Sequence, residues 1–153
     1  MRGQEAREQA ERRTVMATLA HAAADEIAKL WDASGLPSDA ELLRGPETGL
    51  VTVRGRIGGG GAPFNVGEAT VTRATVRLAS GQVGHSYALG RDKEKAKLTA
   101  IADALWQDPV HRAAVETKLV APLRGALDAA REKRRVETAA TKVDFFTMVR
   151  GED

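Results

Sequence analysis

The sequence predicts an α+β fold, in which an antiparallel sheet of three to four strands at about residues 40–89 is flanked by N-terminal helices and by a C-terminal helical region with an extended tail. Apolar residues recur at helical spacing before residue 35 and again after residue 91. Between these two segments Val, Thr and Gly become frequent and the apolar period falls toward 2, as is typical of strands. The length of 153 residues fits one domain of ordinary size.

The N-terminal segment predicts two helices, because no Gly or Pro interrupts residues 4–34. We expect a break near residues 20–25, where Asp25 could cap the second helix. Residues 1–13 are rich in Arg, Glu and Gln and have little apolar surface to bury, so they predict a flexible N-terminal extension. Residues 14–151 then form a single α+β domain.

The middle of the chain predicts the strands. Residues 51–57 alternate apolar side chains with Thr and Arg, which indicates a half-buried strand with a basic outer face. Residues 68–78 and 82–89 predict two further strands, joined by a tight turn at 79–81. Residues 42–44 could supply a short edge strand.

Helical spacing returns after the third strand. Asp92 is a good candidate for the N-cap of this helix. Pro109 should end it and start another helix, since proline is tolerated in a first helical turn. Pro122 and Gly125 are expected to interrupt the chain again before a charged stretch at 127–142.

Composition excludes several classes of protein. The chain has no cysteine, so it has no disulfide framework, thiolate nucleophile or iron–sulfur ligands of its own. Its three histidines include no i,i+4 pair, and we expect no metal site. The net charge is only +2, and no run of about 18 apolar residues occurs, so nothing calls for nucleic acid or a membrane as partner. We therefore expect a soluble cytoplasmic protein.

The supply of large apolar side chains is small. Leu, Ile, Val and Phe together number 32, about 21% of the chain, and alanine alone supplies another 27 residues. The tail at 143–151 is nevertheless apolar, and we expect it to bury itself against another surface. Its interface candidates are Phe145, Phe146, Met148 and Val149.

A run of four glycines at 58–61 is the first candidate for chemistry. Glycine-rich turns can hold phosphate with several backbone N–H groups, so Gly58 and Gly59 are anion-binding candidates. The flanking segments predict strands, and the Lys-Ser/Thr of a P-loop is missing. The sequence alone therefore favours a flexible hairpin connection over a phosphate site.

A set of arginines is the second candidate. Period 2 places Arg54 with Arg56 on one strand face and Arg73 with Arg77 on another, and neighbouring strands could merge them into one basic patch together with Arg91. Guanidinium groups suit phosphate or phosphonate oxygens and acidic partner surfaces alike. A solvated sheet face without function remains the alternative.

Several separated blocks of the sequence occur in a specific order. The blocks are ETGLV at 47–51, RIGG at 56–59, Phe64, GEATVTRATVRL at 67–78, GRDK at 90–93 and VDFFTMVRG at 143–151. Together they resemble the PhnG family, the G subunit of the bacterial carbon–phosphorus lyase core complex, and the resemblance covers residues 14–151. The N-terminal extension and the four-glycine form of the loop depart from the family pattern.

This resemblance implies a role in phosphonate catabolism. Family members act with subunits H and I and the ATPase-like L subunit to convert ATP and an alkylphosphonate into ribose 1-methylphosphonate 5-triphosphate, with release of adenine. It also implies that the chemistry lies mainly on the I subunit, and that the iron–sulfur cluster and S-adenosylmethionine belong to the J subunit. The G subunit would then be an accessory subunit that binds no cofactor, within a hetero-oligomer.

Two other kinds of function stay open at this stage. One is a free-standing module that binds a small anion or nucleotide through a basic sheet face. The other is an enzyme that acts alone, which would show turnover by the isolated chain. The sequence contains no catalytic constellation that would support the second of these.

Overall fold

The computed structural model describes residues 2–56 and 60–141. Its elements are, in chain order, helices α1 (Arg2–His21) and α2 (Ala24–Ser34), strands β1 (Glu41–Gly55), β2 (Phe64–Arg77) and β3 (Val83–Leu89), and helices α3 (Lys93–Gln107), α4 (Arg112–Val115) and α5 (Ala121–Ala140). The strands form one antiparallel sheet in the order β1-β2-β3. The predicted α+β class, with a sheet between two helical regions, is confirmed.

Strand β1 is longer than the sequence predicts. It contains the expected edge strand at 42–44 and residues 51–55 of the strand expected at 51–57, whose last residue lies outside the described part of the chain, and its pairing with β2 is irregular around Gly45 and Pro46. Over residues 2–56 and 60–141 the sheet therefore has three strands and not four, because pairing with β2 carries β1 through residues that are otherwise typical of turns. The same pairing extends β2 back to Phe64, before its predicted start.

Most local boundaries lie where the sequence predicts them. Gly35 ends α2 with a positive φ of 68°, and Gly81 has a φ of 97° in the turn between β2 and β3. The side chain of Asp92 caps α3 by accepting a backbone N–H at 2.8 Å. The break between α1 and α2 is also present, but Ala23 occupies the N-cap, and Asp25 instead lies in the first turn of α2.

The C-terminal region is more continuous than predicted. Pro109 lies in the turn before α4 and not in its first helical turn. Pro122 and Gly125 do not interrupt the chain, which stays helical over residues 112–140. A π-helical turn at Glu116–Val120 ends two residues before Pro122, and this local widening lets the helix continue although proline donates no hydrogen bond.

Helices α1 and α3 lie against one face of the sheet, called here the inner face, and the opposite face is the outer face. Buried residues such as Val76 on β2 and Ile101 and Leu105 on α3 form the core between these layers. At Gly84 the backbone of β3 lies directly on α3, and a Cβ there would clash with backbone atoms of that helix. The core thus sits under only part of the sheet, where β2 pairs with β3.

Candidate subunit interface

On the outer face of the sheet, the arginines of the central strand β2 form ion pairs with glutamates of β1. The side chain of Arg73 donates to Glu47 at 2.6 Å, and that of Arg77 donates to Glu41 at 2.8 Å, in both cases across the β1–β2 pairing. As predicted, Arg73 and Arg77 share one strand face. Each of them thus faces a carboxylate, although Arg44 also lies 3.4 Å from Glu47, so three guanidinium groups share two carboxylates in this part of the sheet.

The other three candidate arginines are exposed and differently placed. Arg54 lies near the end of β1 and donates to the carbonyl of Pro63 at 3.3 Å, Arg56 follows β1, and Arg91 follows β3. Within residues 2–56 and 60–141, no carboxylate lies within 4.0 Å of these three guanidinium groups. The glycine candidates Gly58 and Gly59 lie outside the described residues, so their anion-binding role stays a prediction.

The arginines do not form one patch. Arg54 is opposite Asn65 on β2, and Arg73 lies eight residues further along the same strand, which is about 26 Å at strand rise. The expectation that neighbouring strands merge all five arginines is therefore wrong. The pairing of β1 with β2 runs the full length of both strands. It therefore places Arg54 and Arg56 at one end of the sheet and Arg73 and Arg77 toward the other.

Part of the sheet extends beyond β3 as a two-stranded arm, called here the projecting ribbon, formed by residues 50–55 of β1 and 64–70 of β2. It carries exposed apolar side chains, namely Leu50, Val53, Phe64 and Val66. Leu50 is 63% exposed and Val66 is 61% exposed. The strand predicted as half-buried is thus not covered by any of the described helices, which lie against the part of the sheet that includes β3.

The outer face of the sheet also carries exposed apolar side chains. Tyr87 is exposed there, and Leu89 is 73% exposed. His85 lies on the same face, where its ring Nδ1 is 3.3 Å from the hydroxyl of Thr75. Exposed apolar residues that adjoin one another are typical of a surface that another protein covers.

A groove of about 720 Å³ lies between α1 and the turn that leads into α4. The guanidinium of Arg112 stacks on Trp106 at 3.9 Å in this groove and pairs with Glu8 at 2.7 Å. Arg124 pairs with Glu116 at 3.2 Å. Both cations in the groove thus have carboxylate partners, so it offers little to an anionic ligand.

A buried ion pair that was not predicted from the sequence joins α1 to α3. Asp103 on α3 is 0% exposed and accepts two hydrogen bonds from Arg12 on α1, at 2.9 and 2.7 Å, and one from the backbone N–H of His85 at 2.9 Å. The hydrogen bond to Asp103 raises the pKa of the Arg12 guanidinium. Arg12 belongs to the extension predicted at 1–13, but α1 runs through that boundary; the flexibility of the extension stays a prediction.

The remaining expectations concern the tail, metals and membranes. The interface candidates Phe145, Phe146, Met148 and Val149 all lie outside the described residues. Over residues 2–56 and 60–141 no group of three His, Asp or Glu side chains is placed to hold a metal ion. In the same part of the chain, none of the helices combines the length and apolar character needed to cross a bilayer.

Comparison with known proteins agrees with the resemblance of the sequence blocks. The family model described as "Phosphonate metabolism protein PhnG" matches residues 10–151. A relative from Rhizobium meliloti (strain 1021), the "Alpha-D-ribose 1-methylphosphonate 5-triphosphate synthase subunit PhnG", is 57% identical over 144 residues, which cover 94% of this chain and 92% of the relative. The chain therefore belongs to the PhnG family of phosphonate metabolism proteins.

Proposed function

We propose that this chain is a subunit of an α-D-ribose 1-methylphosphonate 5-triphosphate synthase. The observation that carries this proposal is the 57% identity, over nearly the whole of both chains, to a protein named as that subunit. The complex would transfer an alkylphosphonate to C1′ of the ATP ribose, where a phosphonate oxygen replaces adenine. ATP and the alkylphosphonate are then substrates of the complex.

Within that complex the chain has an accessory role. Its partners are the H, I and J subunits of the carbon–phosphorus lyase core and the ATPase-like L subunit. The reacting groups lie on the I subunit, whereas the iron–sulfur cluster and S-adenosylmethionine are held by J, so this chain holds no cofactor. The outer face and the projecting ribbon support the proposal, because partner subunits would bury their exposed apolar side chains.

The C-terminal tail is a second proposed contact. Phe145, Phe146, Met148 and Val149 are concentrated in a short segment that follows the charged helix α5. Within α5 only Leu123, near its start, is buried, so the helix leads away from the core toward this tail. Deleting residues 143–153 should weaken assembly while the fold of the isolated chain keeps its thermal stability.

Arg54, Arg56 and Arg91 are proposed to bind an anionic group, either a phosphate or phosphonate of the substrates or a carboxylate of a partner. Substitution of each by Gln separates the two sources. A higher KM for ATP or phosphonate in an intact complex indicates substrate contact, whereas loss of the complex indicates partner contact. Unchanged kinetics and assembly would contradict both. Arg73→Gln is the matched comparison, because that arginine already pairs with Glu47.

A pull-down tests the proposed function. The tagged chain is recovered from its source cell grown under phosphate limitation, and co-purifying proteins are identified by mass spectrometry. Recovery of the larger lyase subunits is expected. Recovery of the chain alone, as a monodisperse and cooperatively unfolding monomer that does not bind the I subunit, would contradict the proposal.

The alternative of a free-standing anion-binding module is not favoured. It needs a concentrated basic sheet face, but Arg73 and Arg77 are matched by Glu47 and Glu41, and Arg54 lies about 26 Å from Arg73 along the strand. Calorimetric titration of the isolated chain with ATP or methylphosphonate should show no saturable binding.

A further inference from the structure

The two edges of the sheet differ in how their backbone groups are used. On β3 the outward N–H of His85 donates to Asp103 at 2.9 Å, and the outward carbonyl of Val83 accepts from Gln107 at 2.8 Å. Side chains of α3 therefore close much of this edge. Proteins commonly block exposed edges in this way, because an open edge can pair with another chain.

On β1 the first half of the edge is also blocked. Its pairing with β2 is irregular from Leu42 to Glu47, and Pro46 lies in this part. From Glu47 to Val53, by contrast, the register is unbroken, and the segment contains no proline and no Lys. This is an extended, regular edge of the kind that strand addition requires.

The register fixes which backbone groups lie on that edge. The N–H of Gly90 donates to the carbonyl of Thr70, so even-numbered residues of β2 direct their backbone groups toward β3 and odd-numbered ones toward β1. The hydrogen-bonded partners on β1 are then the odd-numbered residues, such as Val51 opposite Ala69. Consequently Thr48, Leu50 and Thr52 direct their N–H and C=O groups away from the sheet.

We propose that the β1 edge at Thr48, Leu50 and Thr52 binds an extended strand of another synthase subunit, which becomes a fourth strand of this sheet. This rests on the proposed function, because it needs a complex in which the partner exists. The partner strand has apolar side chains to cover Leu50 and Val66. Next to these apolar side chains the partner strand has a carboxylate that pairs with Arg54. Arg54 lies at the end of the same edge and has no carboxylate partner among the described residues.

Hydrogen–deuterium exchange at single-residue resolution tests the pairing. It is measured on the full chain alone and within the complex purified through a tag on a different synthase subunit. Alone, the amides of Leu50 and Thr52 should exchange rapidly, whereas that of Val51 is protected by β2. In the complex the Leu50 and Thr52 amides should slow by at least tenfold, and Val51 serves as the internal control.

A substitution tests the same point independently. Thr52→Pro removes an outward N–H without removing a β1–β2 hydrogen bond, and edge strands tolerate proline where the N–H faces away from the sheet. We expect about a tenfold lower affinity for the complex. Thr52→Ala keeps the N–H and should change the affinity less than threefold. If Thr52→Pro does not fold, as circular dichroism would reveal, the exchange measurement still decides.

The outcomes separate this inference from the function on which it rests. If the complex forms and the Leu50 and Thr52 amides exchange as they do in the isolated chain, strand addition is overturned while the subunit assignment stands. Protection that grows with the concentration of the isolated chain would assign the edge to a second copy of this chain. Protection lost on deleting residues 142–153 would assign it to the tail, and either result overturns the proposal. If no complex forms, the proposed function fails first.

Discussion

The buried ion pair between α1 and α3 makes Arg12→Ala the most informative test of how this fold is held together. The Asp103 carboxylate is 0% exposed and accepts two short hydrogen bonds from Arg12 on α1, together with a longer one, at 3.5 Å, from Gln107 on its own helix. Without Arg12, the backbone N–H of His85 is its nearest remaining donor, at 2.9 Å. A buried carboxylate would then lack its counter-charge, which is far more costly than losing a pair at the surface.

The expected loss follows from this geometry. Removing one partner of a fully buried pair costs about 3–5 kcal/mol. The Arg12 side chain is 30% exposed, so water can partly replace it, and we expect a loss of about 2–3 kcal/mol in the free energy of unfolding. For a chain of this size each kcal/mol lowers Tm by about 2–4 °C, so Tm should fall by about 4–12 °C.

Urea unfolding followed by circular dichroism measures this loss, with calorimetry as the check on Tm. Arg7→Ala is the matched control, because Arg7 is exposed on the same helix, and it should change stability by no more than about 0.5 kcal/mol. The double variant Arg12→Ala/Asp103→Asn should cost less than the sum of the single variants. Equal stabilities of Arg12→Ala and Arg7→Ala would refute the reasoning.

Three further changes test other parts of the structure. Gly84→Ala should lower the free energy of unfolding in urea by about 1–3 kcal/mol, because a Cβ there meets the backbone of α3. Hydrogen bonding from His111 lowers the pKa of Asp108 in the folded chain below its unfolded value of 3.8. The stability that ionised Asp108 contributes is therefore complete above pH 3.8 and is lost as the pH falls through the lower folded pKa. Asp108→Asn removes this contribution, so Tm should fall less steeply with pH below about 4. Lys95→Met should cost about 1–2 kcal/mol in the same urea assay, because its ammonium donates to the carbonyls of residues 20 and 22 at the end of α1.

Each of these changes has a clear contrary result. Gly67→Ala is the control for Gly84→Ala, since nothing lies within 4 Å of a Cβ at that position, and equal losses would show that α3 does not pack closely on β3. Lys93→Met, at an exposed site two residues earlier in α3, is the control for Lys95→Met. Equal stabilities of the two variants would show that Lys95 does not stabilise the end of α1. An Asp108→Asn variant with the pH profile of the unmodified chain would contradict the effect of His111.

Local features of the fold could be predicted because their causes are local. Gly35 and Gly81 adopt positive φ values where the sequence indicates a helix end and a turn, and Asp92 caps the helix it precedes. The continuity of β1 through Gly45 and Pro46 could not be predicted in the same way. It depends on pairing with β2, which lies up to 36 residues away along the chain.

The candidate site shows the same limit. Period 2 correctly places Arg73 and Arg77 on one face, but it cannot reveal that Glu47 and Glu41 lie opposite them, because that depends on the register. The exposure of the projecting ribbon depends on where the helices pack. Asp103 did leave a signal in the sequence, since it is an acidic residue within the otherwise apolar segment of α3 at 100–106.

The central claim is that this chain is a required subunit of the synthase, and reconstitution tests it most directly. The proposed partner subunits H, I, J and L are combined with and without the full chain, and adenine released from ATP in the presence of methylphosphonate is measured. Release is expected only when the chain is present. The same rate of adenine release without the chain would contradict the claim.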